Sequence, residues 1–271
     1  MKYSLIVLFL ISFKTVCSQD SSAYSIACDN YVRLKFDRAV YWFAKSIERK
    51  YRVADSYRYM GASKALMKDF NGAKRDLFYS LQLDPSSVRT YYHFGKYYYL
   101  AEKYDSSLFW YNKAIRKDPG DADFYDSRAM SYVGEKKLDS ALLDENTAIR
   151  LKPGQDVYYN NRGLIRQRQL KYSEALSDYK SALLIDSSFD SHNIATYINV
   201  AFCHFKIKNY GQALQECDKI LLYYPDTPYA LRVRGEIYCE TSRKDEGCKD
   251  FNRLFELDRE MAKEYLEKYC K

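Results

Sequence analysis

Three short segments, LQLDP (81–85), IRKDP (115–119) and IRLKP (149–153), follow one another at intervals of 34 residues. Each ends in a proline, which cannot continue a helix and disfavours helix in the residue before it, so each marks a helix stop. The same interval reaches Ser187 in LLIDSS going forward and Tyr51 after SIERK going back. Beyond Ser187 the register needs four more residues, around FDSHNI (189–194), and then resumes at Pro225 in LLYYP and Arg259 in FELDR. An insertion there either opens a joint or lengthens a helix by a turn. A fixed period of this length predicts a stack of helical repeats, because one helix pair cannot bury its apolar face alone.

The bulk numbers fit that reading. The chain has 271 residues, 47% hydrophobic and 29% charged, with only 10 Gly and 5 Pro, which favours helices with few long loops. Tyrosine stands out at 29. Near the start, Lys2 precedes the apolar run YSLIVLFLISF, about half of the roughly 20 residues that a membrane-spanning helix needs. It reads as the core of a secretory signal peptide over residues 1–18, with Val16 and Ser18 as the small residues before the cleavage point. Cleavage would remove Lys2 and Lys14 and lower the net charge from +7 to +5. Around Cys17, FKTVC places Lys14 and Val16 where a lipobox wants Leu and a small residue, so no lipid anchor is expected. The mature chain is expected to be exported, whether periplasmic, envelope-associated or secreted. Its acids and bases are interspersed, as in EKKLDSALLDENTAIR, which argues for a solvated helix face and against a nucleic-acid partner.

Position by position, the chain resembles the tetratricopeptide repeat (TPR) family. Position 4 of the repeat reads Tyr57, Tyr91, Tyr125, Tyr159 and Tyr197. Position 8 reads Gly61, Gly95, Ala129, Gly163, Ala201 and Gly235, and position 20 reads Ala39, Ala73, Ser107, Ala141, Ala175, Ala213 and Gly247. The resemblance implies an all-α, right-handed solenoid of about seven helix pairs, near 20–53, 54–87, 88–121, 122–155, 156–189, 194–227 and 228–261, closed by a capping helix over 262–271. Small residues at positions 8 and 20 let the paired helices approach, and large ones fill the space beside that contact.

The resemblance also implies a concave groove that holds another protein or an extended peptide. In the family, positions 2, 5, 9, 12 and 13 face it, which assigns Arg58, Arg89, Tyr92, Lys96, Tyr99, Asp123, Asp126, Asn160, Gln167 and Arg168 to a binding surface. Exposed Tyr and Arg are the types enriched at binding hot spots. The clamp that some TPR proteins use for chaperone tails needs Lys at position 5 with Asn at 9. No repeat carries that pair, so this specialisation is rejected.

Six cysteines lie beyond residue 18. On the repeat ruler Cys203, Cys217 and Cys248 occupy core positions and are expected as buried thiols, whereas Cys239 and Cys270 share a groove wall and are expected to pair. No C-x-x-C, G-x-S-x-G, H-E-x-x-H or phosphate loop is present, and the three histidines are scattered. No metal, cofactor or catalysis is expected. Two rivals to a peptide scaffold stay open at this stage: a glycan-binding envelope protein that stacks sugars on the groove tyrosines, and a self-associating structural spacer.

Overall fold

The computed structural model describes residues 23–190 and 193–271; the expected signal peptide, its expected cleavage point and Cys17 lie outside them. The described residues form fifteen α-helices and no strand. They run as α1 (Ala23–Val32) and α2 (Phe36–Glu48), α3 (Val53–Leu66) and α4 (Phe70–Leu83), α5 (Val88–Leu100) and α6 (Tyr104–Lys117), then α7 (Ala122–Gly134) and α8 (Leu138–Leu151). After these come α9 (Asp156–Arg168) and α10 (Tyr172–Ile185), α11 (Ile194–Lys206) and α12 (Tyr210–Tyr223), α13 (Pro228–Glu240) and α14 (Lys244–Leu257), and the single α15 (Arg259–Tyr269). The chain divides into two compact units, the first ending at Pro153 and the second beginning at Gly154. Each is an all-α stack of antiparallel helix pairs.

Within a pair, residue size at one contact is matched across the helices. Gly95 lies against Tyr111, Gly163 against Tyr179 and Gly235 against Phe251; a Cβ at these glycines would sit 2.5, 2.7 and 2.6 Å from the opposing ring. No side chain fits there without displacing the ring. Where position 8 is alanine, at Ala129 and Ala201, the corresponding residues of the second helix are the ring-free Glu145 and Cys217. Position 20 makes the neighbouring close approach: Ser107 Oγ donates to the Gly95 carbonyl at 2.8 Å.

The turn inside each pair is also repeated. Leu34, Lys68, Glu102, Lys136, Leu170, Lys208 and Ser242 all adopt left-handed backbone, with φ between 58° and 66°. In the fifth pair Lys171 N–H donates to the Arg166 carbonyl (2.9 Å) and Leu170 N–H to that of Gln167 (3.0 Å), the paired bonds that close a helix C-terminus of this type. Glycine is the usual occupant, and none of these seven positions has one.

Between pairs, the tyrosine at position 4 grips the preceding turn. Tyr91 OH donates to the Pro85 carbonyl (2.6 Å), Tyr125 OH to that of Pro119 (3.2 Å) and Tyr197 OH to that of Ser187 (3.1 Å). The last of these spans the insertion. Residues 84–87, 118–121 and 224–227 suffice to link successive pairs elsewhere, whereas 186–193 link α10 to α11. The extra residues therefore enlarge a loop and lengthen neither helix. Phe189 anchors that loop against Tyr197, Tyr223 and Tyr224, with ring centroids at 4.7, 5.4 and 5.9 Å.

At the C-terminus the cap helix starts at Arg259 rather than at residue 262, because Asp258 caps it by accepting from Met261 N–H at 3.0 Å. Met261 and Leu266 pack inward beside buried Ala262. The expected Cys239–Cys270 bridge is not formed. Cys270 pairs with Cys248, at a Cα–Cα distance of 5.7 Å, and Cys239 is free. Packing decides this: Phe251 stacks on Tyr265 and Tyr269 (centroids 5.3 and 5.8 Å), which lays α15 along α14 and carries Cys270 to the Cys248 side. Cys248 is accordingly not the free thiol expected from its register. Cys203 and Cys217 are free and buried, and burial pushes both thiols up to about 12.

Both units carry an Arg–Asp motif with a spacing of 16 residues, which joins the two helices of a pair and in two places reaches back to the preceding pair. Arg128 grips Asp144 through two bonds of 2.7 Å and reaches back to Asn112 Oδ1 at 2.6 Å. Arg234 does the same with Asp250 (2.8 and 2.7 Å) and Asp218 (2.8 Å). Arg162 and Asp178 form the corresponding pair, joined by Arg166 at 2.8 Å. In the third repeat the equivalent positions hold Phe78, Phe94 and Trp110. Phe94 stacks on Trp110 at 4.4 Å and meets the edge of Phe78 at 5.1 Å.

Candidate interaction surfaces

In the first unit, the residues assigned to the groove come from α3, α5 and α7. The structure brings most of them together but does not leave them open. Tyr92 is buried, its ring packed against Phe124 (5.0 Å) and Tyr111 (5.8 Å) and its hydroxyl 3.2 Å from Ser127 Oγ. It is therefore mortar between the third and fourth pairs rather than a free platform. Lys96 is buried with its Nζ 4.4 Å above the Tyr92 ring, and burial pulls its ammonium down to about 7 against the opposing charges of Asp123 and Asp126. Burial likewise drives His93 well below its ordinary range, with Arg58, Lys96 and Arg89 adding to the shift. Arg58 is buried and paired with Asp55 at 2.5 Å, and Asp126 is fully buried.

Arg89 and Tyr99 keep more solvent. Arg89 bridges to Asp121 at 3.0 Å and lies over the Phe124 ring at 5.4 Å; Tyr99 tilts against Tyr104 at 5.9 Å. Asp123 is half-buried beside them.

In the second unit the equivalent positions are more accessible. Asn160 is half-buried and accepts from Thr196 Oγ1 at 3.0 Å, Gln167 accepts from Tyr179 OH at 3.0 Å, and Arg168 is exposed. Further along the first helices of the pairs, Arg232 is ringed by Phe202 (5.5 Å), Tyr229 (5.7 Å) and Tyr265 (5.9 Å). Its guanidinium donates to Glu236 at 2.9 Å and to Tyr265 OH at 3.2 Å. Burial raises the Glu236 carboxyl, opposed by Arg232, Lys206 and Lys268. Such an array of rings and mixed charges can hold an aromatic or charged side chain of a partner. Positions 5 and 9 of the seventh repeat are legible in the sequence as Arg232 and Glu236. The arrival of Tyr265 from the cap helix is not, because the seating of α15 depends on the stacking of Tyr265 and Tyr269 on Phe251. Among the described residues no group of His, Cys, Asp and Glu could hold a metal, and no helix is long and apolar enough to cross a membrane.

Comparison with known proteins supports the fold. No protein-family model matches the chain. FK506-binding protein 59 of Drosophila melanogaster is 29% identical over 65 residues, which span 24% of this chain and 15% of that protein. Among solved structures, the APC/C hetero-tetramer Cut9-Hcn1 matches 99% of this chain and 55% of its own with a TM-score of 0.73 at 14% identity. YrrB, described as a TPR protein with an unusual peptide-binding site, matches 71% of this chain and 97% of its own with a TM-score of 0.57 at 14% identity. The chain thus spans a small part of the sequence relative and about half of the first structural one. The protein has the tetratricopeptide-repeat fold, an architecture typical of protein–protein interaction scaffolds.

Proposed function

We propose that this protein is an exported, non-enzymatic TPR scaffold that binds another protein, or an extended segment of one, along the groove-facing sides of its first helices. The observation that carries this reading is the half-exposed cluster of Phe202, Tyr229, Arg232 and Tyr265 in the second unit. Aromatic rings around a guanidinium give the mix of anchoring area and charge that hot spots use. Asn160, Gln167 and Arg168 supply further polar groups in the same unit; the first unit has its own accessible residues at Arg89, Tyr99 and Asp123. The signal peptide over residues 1–18 would deliver the chain to the envelope or beyond.

The test is cross-linking in the native compartment, followed by mass spectrometry of what is captured and of the chain's own N-terminus. Parent protein is compared with Phe202→Ala/Arg232→Ala and with Tyr92→Ala/Tyr99→Ala, each first shown to be folded by circular dichroism. A protein captured by the parent and lost with the Phe202/Arg232 variant supports the reading, and an N-terminus at Gln19 supports export. Identical capture by all three sinks the groove assignment, and retention on polysaccharide matrices in place of protein capture would favour glycan binding.

A further inference from the structure

The outer face of the third repeat poses a separate question. Phe78, Phe94 and Trp110 stand where the fourth repeat has the polar triad Asn112, Arg128 and Asp144, and the substitution extends to the surface. Phe78, Tyr79 and Phe109 are 41%, 47% and 50% exposed. Phe109 meets Trp110 edge-on at 5.5 Å, and Tyr91 tilts against Trp110 at 5.9 Å. The rings of Phe78, Trp110, Phe109 and Tyr91 are thus tied together across α4, α5 and α6 through the buried Phe94, and Tyr79 stands next to Phe78 on α4, tilted against Tyr57. Contiguous exposed apolar patches of this kind mark interaction sites on soluble proteins.

Cations predominate around these rings, with Asp105 the exposed carboxylate at the start of α6. Lys113 Nζ lies over Phe109, Trp110 and Tyr91 at 4.7, 4.8 and 5.8 Å, and Lys74 over Phe78 at 5.9 Å. Arg75, Arg116 and Lys117 stand exposed on the same two helices, and none of these five cations forms an ion pair among the described residues. The carboxylate in the middle of α4, Asp76, is turned inward to Lys64 at 2.6 Å. A face of rings and uncompensated cations complements a ligand that brings carboxylates together with apolar side chains.

We propose that the outer face of α4 and α6 is a second docking surface, independent of the groove, for an acidic polypeptide segment whose apolar side chains pack on Phe78, Phe109 and Trp110. Lys74, Lys113 and Arg116 would pair with the carboxylates.

The experiment uses the full chain and a fluorescein-labelled synthetic peptide in which Glu alternates with Leu and Phe, read by fluorescence anisotropy. Phe109→Ser and Lys113→Glu alter surface groups and should leave the thermal midpoint in place, while each weakens binding about tenfold, as loss of a hot-spot residue does. Phe202→Ala/Arg232→Ala, in the other unit, should leave this affinity unchanged. A peptide with Lys for Glu, or with Ser for Leu and Phe, should bind at least tenfold more weakly than the parent peptide. Equal affinity for the parent protein and the two surface variants, or for the acidic and basic peptides, overturns the proposal. So does binding to anionic phosphatidylglycerol vesicles without peptide binding. Self-association in sedimentation that disappears in Phe109→Ser, again without peptide binding, would assign the face to a second copy and overturn it as well.

Discussion

The third and fourth repeats occupy neighbouring places in one unit and solve the same packing problem in opposite ways. At three positions spaced by 16 residues, the fourth repeat uses Asn112, Arg128 and Asp144, while the third uses Phe78, Phe94 and Trp110. The polar version is satisfied internally and leaves a wettable exterior. Its weakness is that the Arg128 and Asp144 side chains are only 17% and 5% exposed, so neither charge tolerates losing the other. The aromatic version tolerates single losses better but leaves rings and cations facing solvent. One backbone thus gives a self-contained joint in one place and an adhesive one beside it.

The largest expected effect comes from breaking the polar joint. Asp144→Ala should cost about 3–4 kcal/mol, as removal of one member of a buried ion pair does. Trp110→Ala, which removes a half-buried ring, should cost about 2–3 kcal/mol. Urea unfolding of both variants checks the order, and a smaller cost for Asp144→Ala would erase the contrast. Next comes the cap helix α15, which lies beyond the last polar joint at Arg234 and Asp250 and is tied to α14 by a disulfide. Cys270→Ser should lower the stability of the second unit by about 3 kcal/mol, given the loop that Cys248 and Cys270 close. Added reductant should lower the parent's midpoint and leave that of Cys270→Ser in place.

Size matching at the helix crossing gives a third probe. Gly95→Ala should cost about 2 kcal/mol through collision with Tyr111. Combining it with Tyr111→Cys copies the Ala201 and Cys217 pairing of the sixth repeat and should reveal a coupling of about 1 kcal/mol or more. The left-handed turn is common to both kinds of repeat, so Glu102→Gly and Leu170→Gly should each raise stability by about 1 kcal/mol in chemical denaturation. Last, thiol labelling of the native chain should modify half-exposed Cys239 first. Cys203 and Cys217, whose burial holds them at about 12, should react only after unfolding, and mass mapping of the labelled sites reads this directly.

Much of the fold was legible in the primary structure because helix pairing imposes strict local demands. Pro85 and Pro119 end helices wherever they stand, and the tyrosine at position 4 meets the carbonyl of that same turn in Tyr91 and Tyr125. The groove was less legible. Helical period assigns a residue to a face, but whether Tyr92 meets solvent depends on Phe124 and Tyr111, which reach it from the next pair and from the opposite helix. The outer triads were not legible, since each step of 16 residues crosses a turn and follows no single helix.

What the amino-acid sequence determined by itself was therefore the repeat, its phase and the small residues at the helix crossings, all set by constraints within one repeat length. The tertiary structure alone decided which cysteine Cys270 reaches, where the extra residues after Ser187 go, and which of the many tyrosines are mortar. Those outcomes depend on how α15 settles on Phe251 and how Phe189 lodges among Tyr197, Tyr223 and Tyr224. These are contacts between side chains that no local period relates, so only close packing in three dimensions could select them.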